Sequence, residues 1–178
     1  MMAFNAERII HMLKTVLLTI MLVTALAFGS SPAVPASSLN LSQFQWKNRL
    51  LFLFAPDRNH PDFDTLQKSL ASRQADVADR DLVVFEIIQS GPSSMRAKHL
   101  DSQSSQSLRD QFGVRPGDFA VILIGKDSGI KLNRREQTDL KDIFDLIDAM
   151  PMRQVEMRQK SQIDKSRAAE ADELGGTK

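Results

Sequence analysis

One stretch restricts the folds open to this chain more than any other: Gly117 to Arg153, GDFAVILIGKDSGIKLNRREQTDLKDIFDLIDAMPMR. An apolar run, Phe119 to Ile124, meets a glycine-bounded turn, Gly125 to Gly129, and a short strand follows at Ile130 to Leu132. Leu140, Ile143, Phe144 and Ile147 then recur at the spacing that lines one helix face. The pattern predicts a β-hairpin with a helix packed on it, the closing half of a small α/β domain. Thr138 is placed to cap that helix, Asp139 and Asp142 suit its first turn, and Pro151 ends it at Met150.

The opening half lies upstream. Leu50 to Ala55, LLFLFA, is apolar throughout, as expected of a strand covered on both faces of a parallel sheet. A polar loop, Pro56-Asp57-Arg58-Asn59-His60, leads to Pro61 at the first position of a helix near 61–79, with Asp62 and Asp64 in its first turn. Phe63, Leu66, Leu70 and Val77 continue its apolar stripe, and Leu82 to Ile88 supplies a second buried strand. Strand, helix and strand in this order imply a right-handed βαβ unit. Ser90 to Ser107 reads as a surface excursion, ordered at Met95 and Leu100. Ser104 to Phe112 reads as a short helix stopped by Gly113, with Ser107 and Asp110 at capping-box spacing. The lone tryptophan, Trp46, is expected in the core or at its edge.

At the N-terminus, Arg8 and Lys14 precede the apolar run Val16 to Phe28, VLLTIMLVTALAF. It is shorter than the ~20 residues a spanning helix needs and has the form of a signal-peptide core. Residues 1–27 are therefore expected to be a signal peptide, cut after Ala27 in Ala25-Leu26-Ala27, with an uncleaved inner-membrane anchor as the alternative. Residues 28–43 read as a Ser/Pro/Ala-rich spacer, 44–152 as the domain, and 153–178 as a charged tail, weakly helical or disordered. Val155, Met157, Ile163 and Leu174 form no stripe that would hold that tail to a core. The expected location is the periplasm or the cell exterior, with membrane association only if the N-terminal segment persists.

Composition acts by exclusion. The net charge of the whole chain is +1, and removal of residues 1–27 would leave it formally neutral, so no basic excess favours nucleic acid. Cysteine is absent, which removes disulfides, thiolate ligands, lipid attachment at a lipobox and thiol catalysis together.

Strand, helix, strand, excursion, short helix, hairpin and helix is the element order of the thioredoxin fold. The expected class is α/β, a thioredoxin-like three-layer α/β/α domain with a mixed sheet of about four strands. These fall near 50–55, 82–88, 119–124 and 130–132, the first two parallel and the third antiparallel to the first. Within that fold, FAVILIGKDSGIKL (119–132) and DLKDIFDLIDAMPMR (139–153) resemble the P-DUDES family, a thioredoxin-like domain of unknown function. The family occurs in secreted bacterial proteins and in vertebrate sushi-repeat-containing matrix proteins, and the resemblance runs from about Trp46 to Met157. It implies a fold and an exported location, with no established activity. Some readings relate the family to peroxiredoxins, which use a thiol in the first βα loop. Here that loop, Ala55 to His60, has no cysteine, and Pro116 stands ahead of the place where the fold's cis-proline is expected.

That loop still occupies the position where such a fold does its chemistry. Asp57, Arg58, Asn59 and His60, with Asp118 at the start of the third strand, are the candidate binding residues. His60 with Asp57 could form a base pair or ligate a metal; the plainer reading is a polar turn with His60 as a cap. His60 and His99 are the histidines left after processing, and neither has a ligand at metal spacing, so no metal and no cofactor are expected. Gly125 to Gly129 lacks P-loop spacing and reads as a hairpin turn. Lys126, Lys131, Arg134 and Arg135 read as a solvated rim, and Arg153 as a partner for Asp145, Asp148 or a helix C-terminus. No catalytic residue is assigned. The expected function is an exported, redox-inactive module that binds a protein or cell-envelope partner. Its rival is a thiol-independent enzyme, hydrolytic or peroxide-handling, built on Asp57, Arg58 and His60. A catalytic trio would line one concave pocket, whereas a turn would point its side chains apart.

Overall fold

The computed structural model describes residues 39–175. The expected signal peptide, its cleavage site and most of the 28–43 spacer lie outside the described residues. β1 (Arg49–Ala55) is buried along its whole length and runs parallel to β2 (Leu82–Ile88), with Leu51 opposite Val84 and Phe54 opposite Ile87. A short hairpin, β3 (Ser93–Met95) and β4 (Lys98–Leu100), extends the sheet beyond β2. On the other side, β5 (Ala120–Ile124) is antiparallel to β1, and β6 (Ile130–Arg134) is antiparallel to β5. The order across the sheet is β4-β3-β2-β1-β5-β6.

Side chains alternate across a strand, so β1 feeds two cores. Leu51, Leu53 and Ala55, with Val121 and Leu123, face two helices, α1 (Pro61–Ser72) and, further along the chain, the helix Leu140–Asp148. Phe63, Leu66, Leu70, Ile143, Phe144 and Ile147 fill that side. Leu50, Phe52 and Phe54 face the helix Ser102–Gln111 and the 3₁₀ turn Leu41–Phe44 on the opposite side. Phe52 lies between Phe85 and Phe112, with ring centroids 4.5 and 5.0 Å away. Full burial of each such side chain contributes ~1.5–3 kcal/mol, which makes β1 the strand on which both cores depend. The result is a thioredoxin-like three-layer α/β/α domain.

All four expected strands are present with the expected directions, but the sheet has six strands. The reading of Ser90 to Ser107 as an excursion is corrected by β3 and β4. Their reversal runs through Arg96 (φ 48°) and Ala97 (φ 61°). Tight hairpins with this handedness usually announce themselves as Asn-Gly or a similar pair, so Arg-Ala gave no signal. The helix expected near 61–79 divides at Arg73 into α1 and α2 (Gln74–Asp79). The third helix, α3 (Ser102–Gln111), is capped by Asp101, whose Oδ1 accepts from the Ser104 backbone N–H at 2.8 Å, rather than by the Ser107 box. Gly113 stops it in the left-handed region (φ 61°), as expected. α4 (Leu140–Asp148) begins after Asp139, not Thr138, whose buried hydroxyl donates to the Glu136 carbonyl.

The domain's two ends also depart from expectation. Trp46 is 62% exposed and sits at φ 62°, because its backbone N–H is held by the Lys126 carbonyl at 2.7 Å and the ring is turned outward. The tail expected to be weakly helical or disordered forms one helix, α5 (Pro151–Gly175). α4 ends at Asp148, two residues short of the expected Met150, and Pro151 then opens α5 at a position that suits its fixed φ. Charge holds α5 where apolar residues do not. Arg153, 4% exposed, donates to the Asp79 carbonyl at 2.7 Å, to the Asp79 carboxylate and to Asp148 Oδ1 at 3.1 Å; it does not pair with Asp145. Glu156 accepts from Arg49 Nη1 and Nη2 at 3.1 and 3.2 Å and from Lys126 Nζ at 2.7 Å. From Arg158 to Ala171 the side chains are exposed. Among the described residues no helix is long and apolar enough to cross a membrane.

Candidate functional site

Three segments meet where β1 and β2 finish: the loop Pro56–His60, the turn after β2, and the approach to β5 from Val114 to Phe119. They meet because β5 is antiparallel to β1, with Ala120 opposite Phe54. Asp57 spends its side chain locally, with Oδ1 accepting from the Asn59 backbone N–H at 2.7 Å. That is an Asx turn. Arg58 leads away towards β2 and β3: Nη1 is 3.2 Å from Glu86 Oε2 and Nη2 donates to the Pro92 carbonyl at 3.0 Å. Asn59 is exposed at the tip.

His60 turns the other way. It precedes α1 without a side-chain cap bond, and its ring lies flat on Phe119, centroids 5.1 Å apart and planes within 3°. Its Nδ1 is buried and has no hydrogen-bond partner among the described residues. Across from it, Asp118 Oδ2 is 3.2 Å from Arg115 Nε and 3.8 Å from Arg135 Nη1. His60, Phe119, Asp118, Asp62, Arg115 and Arg135 line a cleft of about 480 Å³. Of the five candidate binding residues, this geometry joins His60 and Asp118 and leaves Asp57, Arg58 and Asn59 outside. The three side chains of the supposed catalytic trio therefore diverge. Among the described residues no three His, Cys, Asp or Glu groups gather where they could hold a metal ion.

The basic rim also needs correction. Lys126 is 9% exposed and donates to Asp81 Oδ2 at 2.8 Å as well as to Glu156. Its burial between two carboxylates makes it a strut. Lys131 pairs with Asp127 inside the hairpin turn, where Asp127 Oδ1 also accepts from the Gly129 backbone N–H, and Arg135 belongs to the cleft.

Sequence reasoning missed Phe119 as a ring partner, Arg115 as a cleft wall, and above all Arg109. This arginine of α3 is 4% exposed, and its Nη2 donates to the carbonyls of Ala55 and Ile87 at 2.7 and 3.0 Å, where β1 and β2 end. Burial lowers its pKa from the ordinary arginine value, and the charge of Asp118 acts in the opposite sense. Helical phase was the one available signal. Ser105, Leu108, Arg109 and Phe112 share a face, so the arginine had to point inward with Leu108.

The family described as Domain of unknown function (DUF4174) matches residues 40–156. Coiled-coil domain-containing protein 80 of Danio rerio is 24% identical over 133 residues, which make up 66% of this chain and 15% of that protein. The chain thus spans a small fraction of the length of this curated relative. Among solved structures, the reduced Plasmodium vivax 2-Cys peroxiredoxin is similar at 17% identity and a TM-score of 0.49, over 68% of this chain and 85% of that one. Plasmodium yoelii Prx1a, modified at its N-terminus, is similar at 20% identity and a TM-score of 0.45, over 61% and 76%.

Proposed function

The chain belongs to the DUF4174 family, and from that premise we propose that it is an exported, redox-inactive thioredoxin-like module that binds a protein or cell-envelope partner. The carrying observation is the cleft beside Phe119, which the stacked His60 ring lines together with Arg115 and Arg135. A flat aromatic platform beside cations suits an extended partner segment or an anionic group. No thiol exists in the chain to take up peroxiredoxin-type chemistry.

The GKDSGIKL and IDAMPMR strings support the narrower P-DUDES reading, and with it export. On this proposal residues 1–27 act as a signal peptide, and the mature chain works in the periplasm or outside the cell. Against the rival enzyme built on Asp57, Arg58 and His60, His60 lines the cleft beside Phe119 while Asp57 bonds within its own turn and Arg58 reaches Glu86 and Pro92.

The test joins processing to binding. The exported form is sequenced from its N-terminus, with a start near Phe28 expected and an intact Met1 counting against cleavage. Purified wild type and His60→Ala are then cross-linked in periplasmic extract. A partner captured by wild type and lost in His60→Ala supports the cleft; equal capture by both overturns it as the binding face.

A further inference from the structure

A second cleft, about 410 Å³, opens between the turn after β2, the strand β4 and the first turns of α3. Arg109 lines it, together with Gln89, His99, Asp101 and Ser105. Among the described residues no carboxylate lies within ion-pair distance of Arg109, and its buried Nη1 has no hydrogen-bond partner. The two strand-end carbonyls engage Nη2 alone. A guanidinium withdrawn from water with half its fork unused is costly unless something accepts from it.

Other unused donors stand on the same wall. Gln89 accepts the Gly117 backbone N–H through Oε1 at 2.7 Å, and among the described residues no acceptor engages its amide N–H groups. His99 is exposed on β4 and has no hydrogen bond or ion pair among the described residues. Asp101 selects the charge of the occupant. Its carboxylate is fixed as the α3 cap by Ser104 and is held below the usual pKa, chiefly by the Ser104 backbone N–H. A fixed negative charge on the wall repels a dianion such as phosphate more strongly than a monoanion.

We propose that this cleft binds a carboxylate, with Arg109 as its charge partner and His99 and the Gln89 amide as further donors. The site is separate from the one beside Phe119, so either can fail without the other. A free small acid and the C-terminal carboxylate of a peptide share this chemistry.

The experiment is an NMR titration of the full mature chain, following the Arg109 side chain and the His99 ring. The probes are acetate, butyrate, an N-acetylated tripeptide with a free C-terminus, and the same tripeptide amidated. A saturable shift with the acids identifies a free acid as occupant, and one with the free peptide but neither acid identifies a chain terminus. The amidated peptide should shift neither group. Arg109→Lys should weaken binding by about tenfold or more, as expected for a lost charge-assisted hydrogen bond. Arg109 is buried, so His99→Ala on the exposed strand is the second variant, expected to weaken binding severalfold with the fold intact. No saturable shift with any carboxylate, binding by the amidated peptide equal to the free one, or unchanged affinity in His99→Ala and a folded Arg109→Lys would overturn the proposal.

Discussion

Where β1 and β2 begin, Arg49, Lys126 and Arg153 are buried at 1%, 9% and 4% exposure, and carboxylates of Glu156, Asp81, Asp79 and Asp148 answer them. Where the same strands finish, Arg109 is as deeply buried and meets carbonyl oxygens, while His60 keeps a ring nitrogen unsatisfied. The first end spends charge on fastening α5 to the sheet. The second holds charge and polarity in reserve beside two clefts. Buried pairs gain little over an apolar contact, yet losing one partner is severe, so the first end is brittle and the second is tolerant.

The largest expected effect breaks this contrast at the fastened end. Glu156→Gln keeps the shape and removes the acid that serves both Arg49 and Lys126, and it should destabilise by about 3 kcal/mol in urea unfolding. Asp118→Asn, at the other end, loses only part-exposed pairs and should cost less than about 1 kcal/mol. Equal losses would erase the distinction between the ends.

Acid should act on the same end. Burial would raise the Glu156 carboxyl, but hydrogen bonds from Arg49 and Lys126 outweigh it and hold it below its ordinary value. Asp79 is likewise lowered, first by Lys160, against burial and with Arg153 adding to the effect. Carboxyls with folded pKa values below their unfolded ones lend stability above the unfolded value and lose it as pH falls through the folded one. Stability should therefore hold from pH 7 to about 5 and fall below about 4, the ordinary carboxyl range. Circular dichroism against pH reads this, and unfolding between pH 6 and 5 would contradict it.

At the tolerant end, His60→Ala removes one stacked pair and should cost about 1 kcal/mol while abolishing partner capture. A truncation after Ser161 should have the smallest effect, under about 0.5 kcal/mol, because the deleted side chains as far as Ala171 are exposed. A larger loss would mean that the distal part of α5 is held by something beyond Arg153, Glu156 and Lys160.

These two ends also explain what could be read in advance. β1, β2 and β5 were legible as apolar runs, and α4 as a stripe from Leu140 to Ile147, because burial on both faces or on one face writes itself into local composition. The attachment of α5 left no such mark. Its anchors link Arg49 to Glu156 and Asp79 to Arg153 across the fold, and the sequence around Asp79, Arg153 and Glu156 is that of an ordinary solvated surface. The site was half legible. The loop after β1 was found by topology, but whether Arg58 or His60 faced the cleft depended on side-chain direction within one turn. Arg115 and Arg135 arrive from other segments, and only the folded chain brings them to Asp118.

The outer strands of the sheet have a consequence for life at high concentration. β6 carries Lys131, Asn133 and Arg134, and β4 is three residues long with Lys98 and His99 exposed. Short or cationic rims deny another chain the flat backbone template on which cross-strand polymerisation starts. The sheet therefore ends at its sixth strand, and crowding should leave the protein dispersed rather than fibrous.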